Sequence, residues 1–296
     1  MAHVDANGIW IEYETFGKPD SPALLLIMGL GGQLIDWDEK LCEQIAQRGY
    51  YVIRFDNRDA GLSTKMDDAG IPDIMKIVEK LMTGKPVTPP YTIEDMADDA
   101  VGLLDALAIK KAHICGMSMG GMIAQAIALN YPERVLSLIS IYSNTGDTQE
   151  PQPKPEVMEV LLTPQPAQRE GYIEFSMKFL NTTSGSGVPY DQEWLRNHVA
   201  QAYDRSFCPR GTTRQFVAIL TQKNRKPALA SLSVPTLVVH GTDDPLVSVE
   251  CGKNTAAAIP GAKLMIIDGM GHDIPYGGAW PQIMNAIVDH LHKAGT

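Results

Sequence analysis

The residues best suited to chemistry are Gly116, Met117, Ser118, Met119 and Gly120, a G-x-S-x-G pattern extended by Gly121. A serine hydroxyl is a weak nucleophile at neutral pH, so the pattern matters only where the backbone presents that hydroxyl to a base. The flanking sequence supplies such a place. Ala112 to Gly116 is a short apolar run that reads as a buried strand, and Met119 to Asn130 reads as a helix. Ser118 then falls on a sharp strand-to-helix turn, which strains its backbone and admits only glycine at Gly116 and Gly120. The chemistry this predicts is nucleophilic attack by Ser118. A plain glycine-rich turn is the competing reading, and the flanking strand and helix argue against it. Chemistries that need a carboxylate nucleophile are disfavoured, because the position holds a serine.

A serine nucleophile needs an imidazole to accept its proton and a carboxylate to orient that imidazole. Seven histidines compete. The chain order serine, acid, histidine that goes with this kind of turn removes His3 and His113, and His113 reads as structural. His198, His240, His290 and His292 lie in an insertion, at a strand end or on a terminal helix, where packed or solvated histidines are ordinary. His272 follows a strand through the flexible loop Asp268, Gly269, Met270 and Gly271, and is the expected base. For the acid, Gly241, Thr242, Asp243, Asp244 and Pro245 offer two aspartates; a glycine, two residues and then the acid selects Asp244, with Asp243 as a turn residue. The oxyanion formed by attack on a carbonyl needs two N–H donors. Met119 is expected to supply one and Leu30, within Met28, Gly29, Leu30, Gly31 and Gly32, the other. Neither phosphate-loop pattern is present, so nucleotide binding is not expected.

To position these groups, short apolar runs alternate with helix-period segments, the pattern of a parallel sheet covered on both faces. Strands are expected at Ile9 to Tyr13 (an edge), Ala23 to Met28, Tyr51 to Phe55, Val135 to Tyr142, Pro235 to His240 and Lys263 to Ile267. Helices are expected around Trp37, Leu41 and Ile45, after Thr92 with Asp95 completing a capping box, at Val249 to Ile259, and at Pro281 to His292. Between Thr145 and Pro227 the strand pattern disappears. Residues 145–227 read as a helical insertion into a core of 1–144 and 228–296, with Thr182 to Gly187, then Val188 and Pro189, as a flexible loop. Phe175, Phe179 and Trp194 are candidates for an apolar substrate wall there.

Composition narrows the partners. With 35 acidic and 25 basic residues the formal charge is -10, which disfavours nucleic acid and anionic lipid. The four cysteines form no CxxC pair and there is no H-E-x-x-H, so neither a metal nor a disulfide framework is expected. No apolar run is long enough to span a bilayer and no export signal is evident, which predicts a cytoplasmic protein with no membrane partner.

The order of MGLGG at Met28–Gly32, RFDNRDAGLS at Arg54–Ser63, GMSMGG at Gly116–Gly121, GTDDP and GMGH resembles the α/β-hydrolase superfamily along the whole chain. Within it, MGLGG, the RDAG variant and SGSGVPYD at Ser184–Asp191 are similar to methylesterases acting on aclacinomycin-type polyketides, with macrolide esterases as the related second candidate. The resemblance implies an α/β-hydrolase fold with an inserted helical cap. It implies a cofactor-free serine esterase or lactonase with Ser118, Asp244 and His272 as triad, and a small-molecule ester or lactone as substrate. Perhydrolysis or C–C bond hydrolysis on the same residues, and a non-catalytic ligand receptor, are the alternatives. Arg58 and Asp59, where the broader family often has arginine and glycine, are expected to brace the loop near the site.

Overall fold

The apolar runs become strands of one eight-stranded sheet in the computed structural model, which describes residues 2–187, 190–273 and 276–295. The first half of the chain contains β1 (Ala2–Ala6), β2 (Ile9–Phe16), β3 (Ala23–Ile27), α1 (Glu39–Ala46), β4 (Tyr51–Phe55), α2 (Ile74–Met82), α3 (Ile93–Ala106), β5 (Ala112–Met117), α4 (Met119–Asn130) and β6 (Val135–Ile141). Among the described residues five helices follow without a strand: α5 (Pro155–Leu162), α6 (Arg169–Thr183), α7 (Gln192–Arg205), α8 (Pro209–Leu220) and α9 (Lys226–Leu229). The chain then completes the sheet with β7 (Thr236–Gly241), α10 (Val249–Ala258), β8 (Lys263–Ile267) and α11 (Trp280–Ala294).

The strand order is β1-β2-β4-β3-β5-β6-β7-β8, with β2 antiparallel to both neighbours and all pairs from β4 to β8 parallel. Every residue of β3 and β5 is buried, because helices cover both faces. One core holds Ile27, Phe55, Ile93, Leu104 and Ile123; the other, across the sheet, holds Leu26, Trp37, Ile45, Trp280 and Ile287. After β3 the chain builds to one side and after β5 to the other. The loops leaving these neighbours diverge and open a crevice at their carboxyl ends.

Local signals account for several boundaries. Thr92 Oγ1 accepts from Asp95 N–H at 3.1 Å while Thr92 N–H donates to Asp95 Oδ2 at 2.7 Å, the expected capping box of α3. The strand at Ile9 lies inside the sheet instead of at its edge: Asn7 and Gly8, both at positive φ, turn a two-residue hairpin that adds β1 outside it. Trp37 precedes α1, which Asp38 caps through Leu41 N–H at 3.1 Å. No element was expected at α2, none of whose residues is fully buried. Helix α6 runs on through Thr183, so the expected flexible loop starts later, and its Val188 and Pro189 lie outside the described residues. Gly185 is packed there: a Cβ on it would come 2.0 Å from Gly269 O. Ile173, Met177, Leu195 and Val199 form a small separate core between α6 and α7. Among the described residues no helix is long and apolar enough to cross a membrane.

Candidate active site

Ser118 occupies the turn from β5 into α4 at φ 54° and ψ -121°, a left-handed conformation disfavoured for a residue with a side chain. The strain is held by bonds on both sides. Ser118 N–H donates to Ile141 O at 2.9 Å, and Ser118 O accepts from Ser143 Oγ at 2.7 Å and Gly121 N–H at 2.9 Å. A Cβ on Gly120 would lie 2.1 Å from Ile27 O, and one on Gly116 2.0 Å from Gly120 O. Helix and strands therefore approach to a separation that only glycine permits.

Asp244 leaves the end of β7 with its side chain wholly buried. Its Oδ1 accepts Leu246 N–H at 2.9 Å and Val247 N–H at 2.8 Å, which leaves Oδ2 for His272 Nδ1 at 2.7 Å. Asp243 turns away, towards Ser186 and Thr242. Burial pushes the Asp244 carboxyl up, but His272 and His240 outweigh it and hold the group down at about 2. An ionised Oδ2 keeps the proton on Nδ1 of His272 and leaves Nε2 able to accept one. The residue is anchored by its backbone N–H, which donates to Thr183 O at 2.8 Å, and its imidazole packs on the Tyr142 ring, 4.4 Å away between centroids. Ser118 and His272 line one cleft. Among the described residues Ser118 Oγ makes no hydrogen bond; such contacts are often long until substrate binds.

The loop after β3 lies against the nucleophile: a Cβ on Gly29 would be 3.2 Å from Ser118 Cβ and 3.7 Å from its Oγ. Gly32 N–H donates to Gly29 O at 3.2 Å. Gly29 C=O and Leu30 N–H share one planar peptide and point oppositely, so this bond aims the Leu30 donor the other way. Met119 N–H is among the first donors of α4, which have no partner within the helix. From β4, Asn57 Nδ2 donates to Met28 O at 3.0 Å and Asp56 Oδ1 accepts Leu34 N–H at 2.7 Å. Leu30 lines the same cleft as Ser118, and Met119 follows Ser118 directly as the first residue of α4.

The cleft has a volume of about 830 Å³. Phe175 and Phe179 line it, with Met158 and Phe216 from neighbouring helices and Ile74 and Met75 from α2. Trp194 does not. It stacks flat on His198, four residues on along the same face of α7, and on Tyr276, so its ring is consumed in packing. Asp59 adopts φ 68° and meets Arg214 of α8 through two hydrogen bonds of 2.7 and 2.6 Å, both side chains fully buried. Arg58 pairs with Asp99 at 2.5 and 2.7 Å.

Sequence reasoning missed Tyr142 and Asn57, and set His240 aside as an ordinary histidine at a strand end. His240 Nε2–H donates to Val247 O at 2.7 Å and lies 3.6 Å from Asp244 Oδ2. The available signal was position, since all three stand at or just past the carboxyl end of a strand, where this sheet opens. His113, as expected, is structural: it is buried and bonded to Ser137 Oγ at 2.8 Å, and burial lowers it to about 4.

A family model described as alpha/beta hydrolase fold matches residues 22–279. The chain is 28% identical to rhodomycin D methylesterase of Streptomyces sp. (strain C5), covering 99% of this chain and 98% of that one. It is 29% identical to 3-oxoadipate enol-lactonase 2 of Acinetobacter baylyi, covering 89% and 86%. Among solved structures, the enol-lactonase from Burkholderia xenovorans superposes with a TM-score of 0.76 at 21% identity, covering 98% of this chain and 100% of that chain.

Proposed function

The chain belongs to the α/β-hydrolase fold family, and from that premise we propose that it hydrolyses carboxylic esters or lactones through acylation of Ser118. His272 Nε2 takes the Ser118 proton as Oγ attacks the carbonyl carbon. The N–H groups of Leu30 and Met119 receive the oxyanion. Collapse expels the alcohol oxygen, which takes the proton from His272, and leaves an acyl group on Ser118. Water then repeats the sequence, giving its proton to His272 and releasing the acid. No step calls on a cofactor. The single observation that carries this reading is the 2.7 Å bond from His272 to a buried carboxylate, in the cleft that also holds the strained Ser118.

The substrate favoured by the cleft is bulky and largely apolar, because apolar side chains, phenylalanines and methionines among them, make up most of its wall and its volume suits a multi-ring molecule. Residues 145–227 serve as the cap that supplies most of that wall. The activities of the relatives, a rhodomycin D methylesterase and a 3-oxoadipate enol-lactonase, support a methyl ester or a lactone. The test is a hydrolysis panel of short aryl esters, methyl-esterified polyketides and large-ring lactones, with Ser118→Ala as blank. The bulky esters or lactones are expected to give the highest kcat/KM and the blank none. A peroxide or a diketone outpacing every ester and lactone would replace this reading with perhydrolysis or C–C bond hydrolysis.

A further inference from the structure

We propose that Gln215, on α8, is a positioning residue of the oxyanion site: it sets the direction of the Leu30 N–H by fixing the next peptide of the same loop. The inference rests on the ester-hydrolysis reading and adds a residue that never touches substrate. Gln215 is completely buried. Its Oε1 accepts Gly31 N–H at 2.8 Å and its Nε2 donates to Arg58 O at 2.7 Å. The amide is therefore oriented without ambiguity, because exchanging its ends would set donor against donor and acceptor against acceptor.

Both peptides flanking Leu30 are consequently tied. The one before it is held by Gly32 N–H on Gly29 O, and the one after it by Gln215 on Gly31 N–H. Gly31 adopts φ +68°, and a Cβ there would come within 3.0 Å of Thr212 Oγ1, one turn back along α8. A bare backbone thus fits onto the helix face that carries Thr212 and Gln215. The helix is itself anchored, since Arg214 binds the buried Asp59 through two hydrogen bonds. Next along the loop, Gln33 Nε2 donates to Ala202 O and Ser206 O at 2.6 and 3.0 Å, and Arg205 Nη1 donates to Gln33 Oε1 at 2.7 Å. Helices α7 and α8 therefore brace the oxyanion loop as well as roofing the cleft. Gln215 is absent from the cleft lining, so its loss acts on the transition state and leaves ground-state binding in place.

The test uses the full chain carrying Gln215→Met, which keeps length and volume but removes both polar ends. Measured are kcat and KM for a chromogenic aryl ester, and the Kd of two probes. One is an aryl boronic acid, whose adduct with Ser118 Oγ places a charged oxygen at the oxyanion position. The other is the uncleaved amide analogue of the ester. The expected result is a fall in kcat of roughly 10- to 100-fold, matched by a rise of the same size in the boronic acid Kd, with KM and the amide Kd within about threefold. Parental kcat and boronic acid affinity in a folded variant would overturn the proposal, as would equal weakening of both probes, the result for a simple anchor of the insertion. Should the Met protein fail to fold, Gln215→Asn, one methylene too short to reach Gly31 N–H, carries the same measurements and expectations. Absence of Ser118-dependent turnover in the parent would instead defeat the hydrolase reading.

Discussion

At the scale of single residues, the proposed chemistry depends on where one proton resides. Asp244 is buried, yet His272 and His240 keep it ionised. Asp244→Asn would present an amide to Nδ1 and favour the wrong tautomer, so kcat is expected to drop by about 10⁴ with the fold intact, measured on any ester the parent cleaves. The same carboxyl makes stability depend on pH. Its native value of about 2 lies below the ordinary value, so between the two the unfolded chain binds more protons than the native one. The contribution, on the order of 2 kcal/mol, is fully present above the unfolded value and is lost as pH falls through the native one. Urea unfolding of parent and Asp244→Asn should therefore show a stability gap at pH 7 that narrows on acidification; a gap independent of pH would contradict the assignment. The sequence made the serine turn legible because close approach demands glycine at fixed positions. Tyr142 was not legible: its contact with His272 arises only when β6 and the loop after β8 are brought side by side.

At the scale of elements, α8 is held to the core by a buried ion pair whose halves lie far apart in the chain, Asp59 after β4 and Arg214 in the insertion. Removing one partner strands the other charge in a dry site. Arg214→Met is expected to cost about 3–5 kcal/mol in urea unfolding at neutral pH. A loss under about 1 kcal/mol, the level of an exposed pair, would show that Asp59 finds water or another partner. The strands were readable because burial on both faces gives unbroken apolar runs, as in β3 and β5. The helix α2 was not, since its apolar residues end in no core and prolines bracket it at Pro72 and Pro86. The Asn7 and Gly8 turn carried a hairpin signal in plain view, but β1 is half polar and mostly exposed, so its run did not read as a strand. Trp194 shows the limit of composition: an aromatic ring in the insertion has several surfaces to cover, and only the fold decides which.

At the scale of the whole molecule, the sheet brings three separated loops, after β3, β5 and β8, to one crevice, and the insertion closes it into a cleft of about 830 Å³. The division of labour follows from chain order. Loops at strand ends carry the proposed reacting groups, while α5 to α8 supply much of the apolar wall and α8 bonds the loop after β3 through Gln215. Motifs tied to backbone geometry were readable from one sequence, whereas the contacts between insertion and core were not, because no local pattern records which residue meets which across more than a hundred positions. The central claim is that all of this serves one nucleophile. It is tested most directly by mixing the protein with an excess of a chromogenic aryl ester, quenching within the first turnover and mapping the acyl group by peptide mass spectrometry. The account predicts one acyl group per chain on the peptide that contains Ser118, and none in folded Ser118→Ala, which also fails to turn over. An acyl group on another residue, or parental turnover by Ser118→Ala, would contradict it.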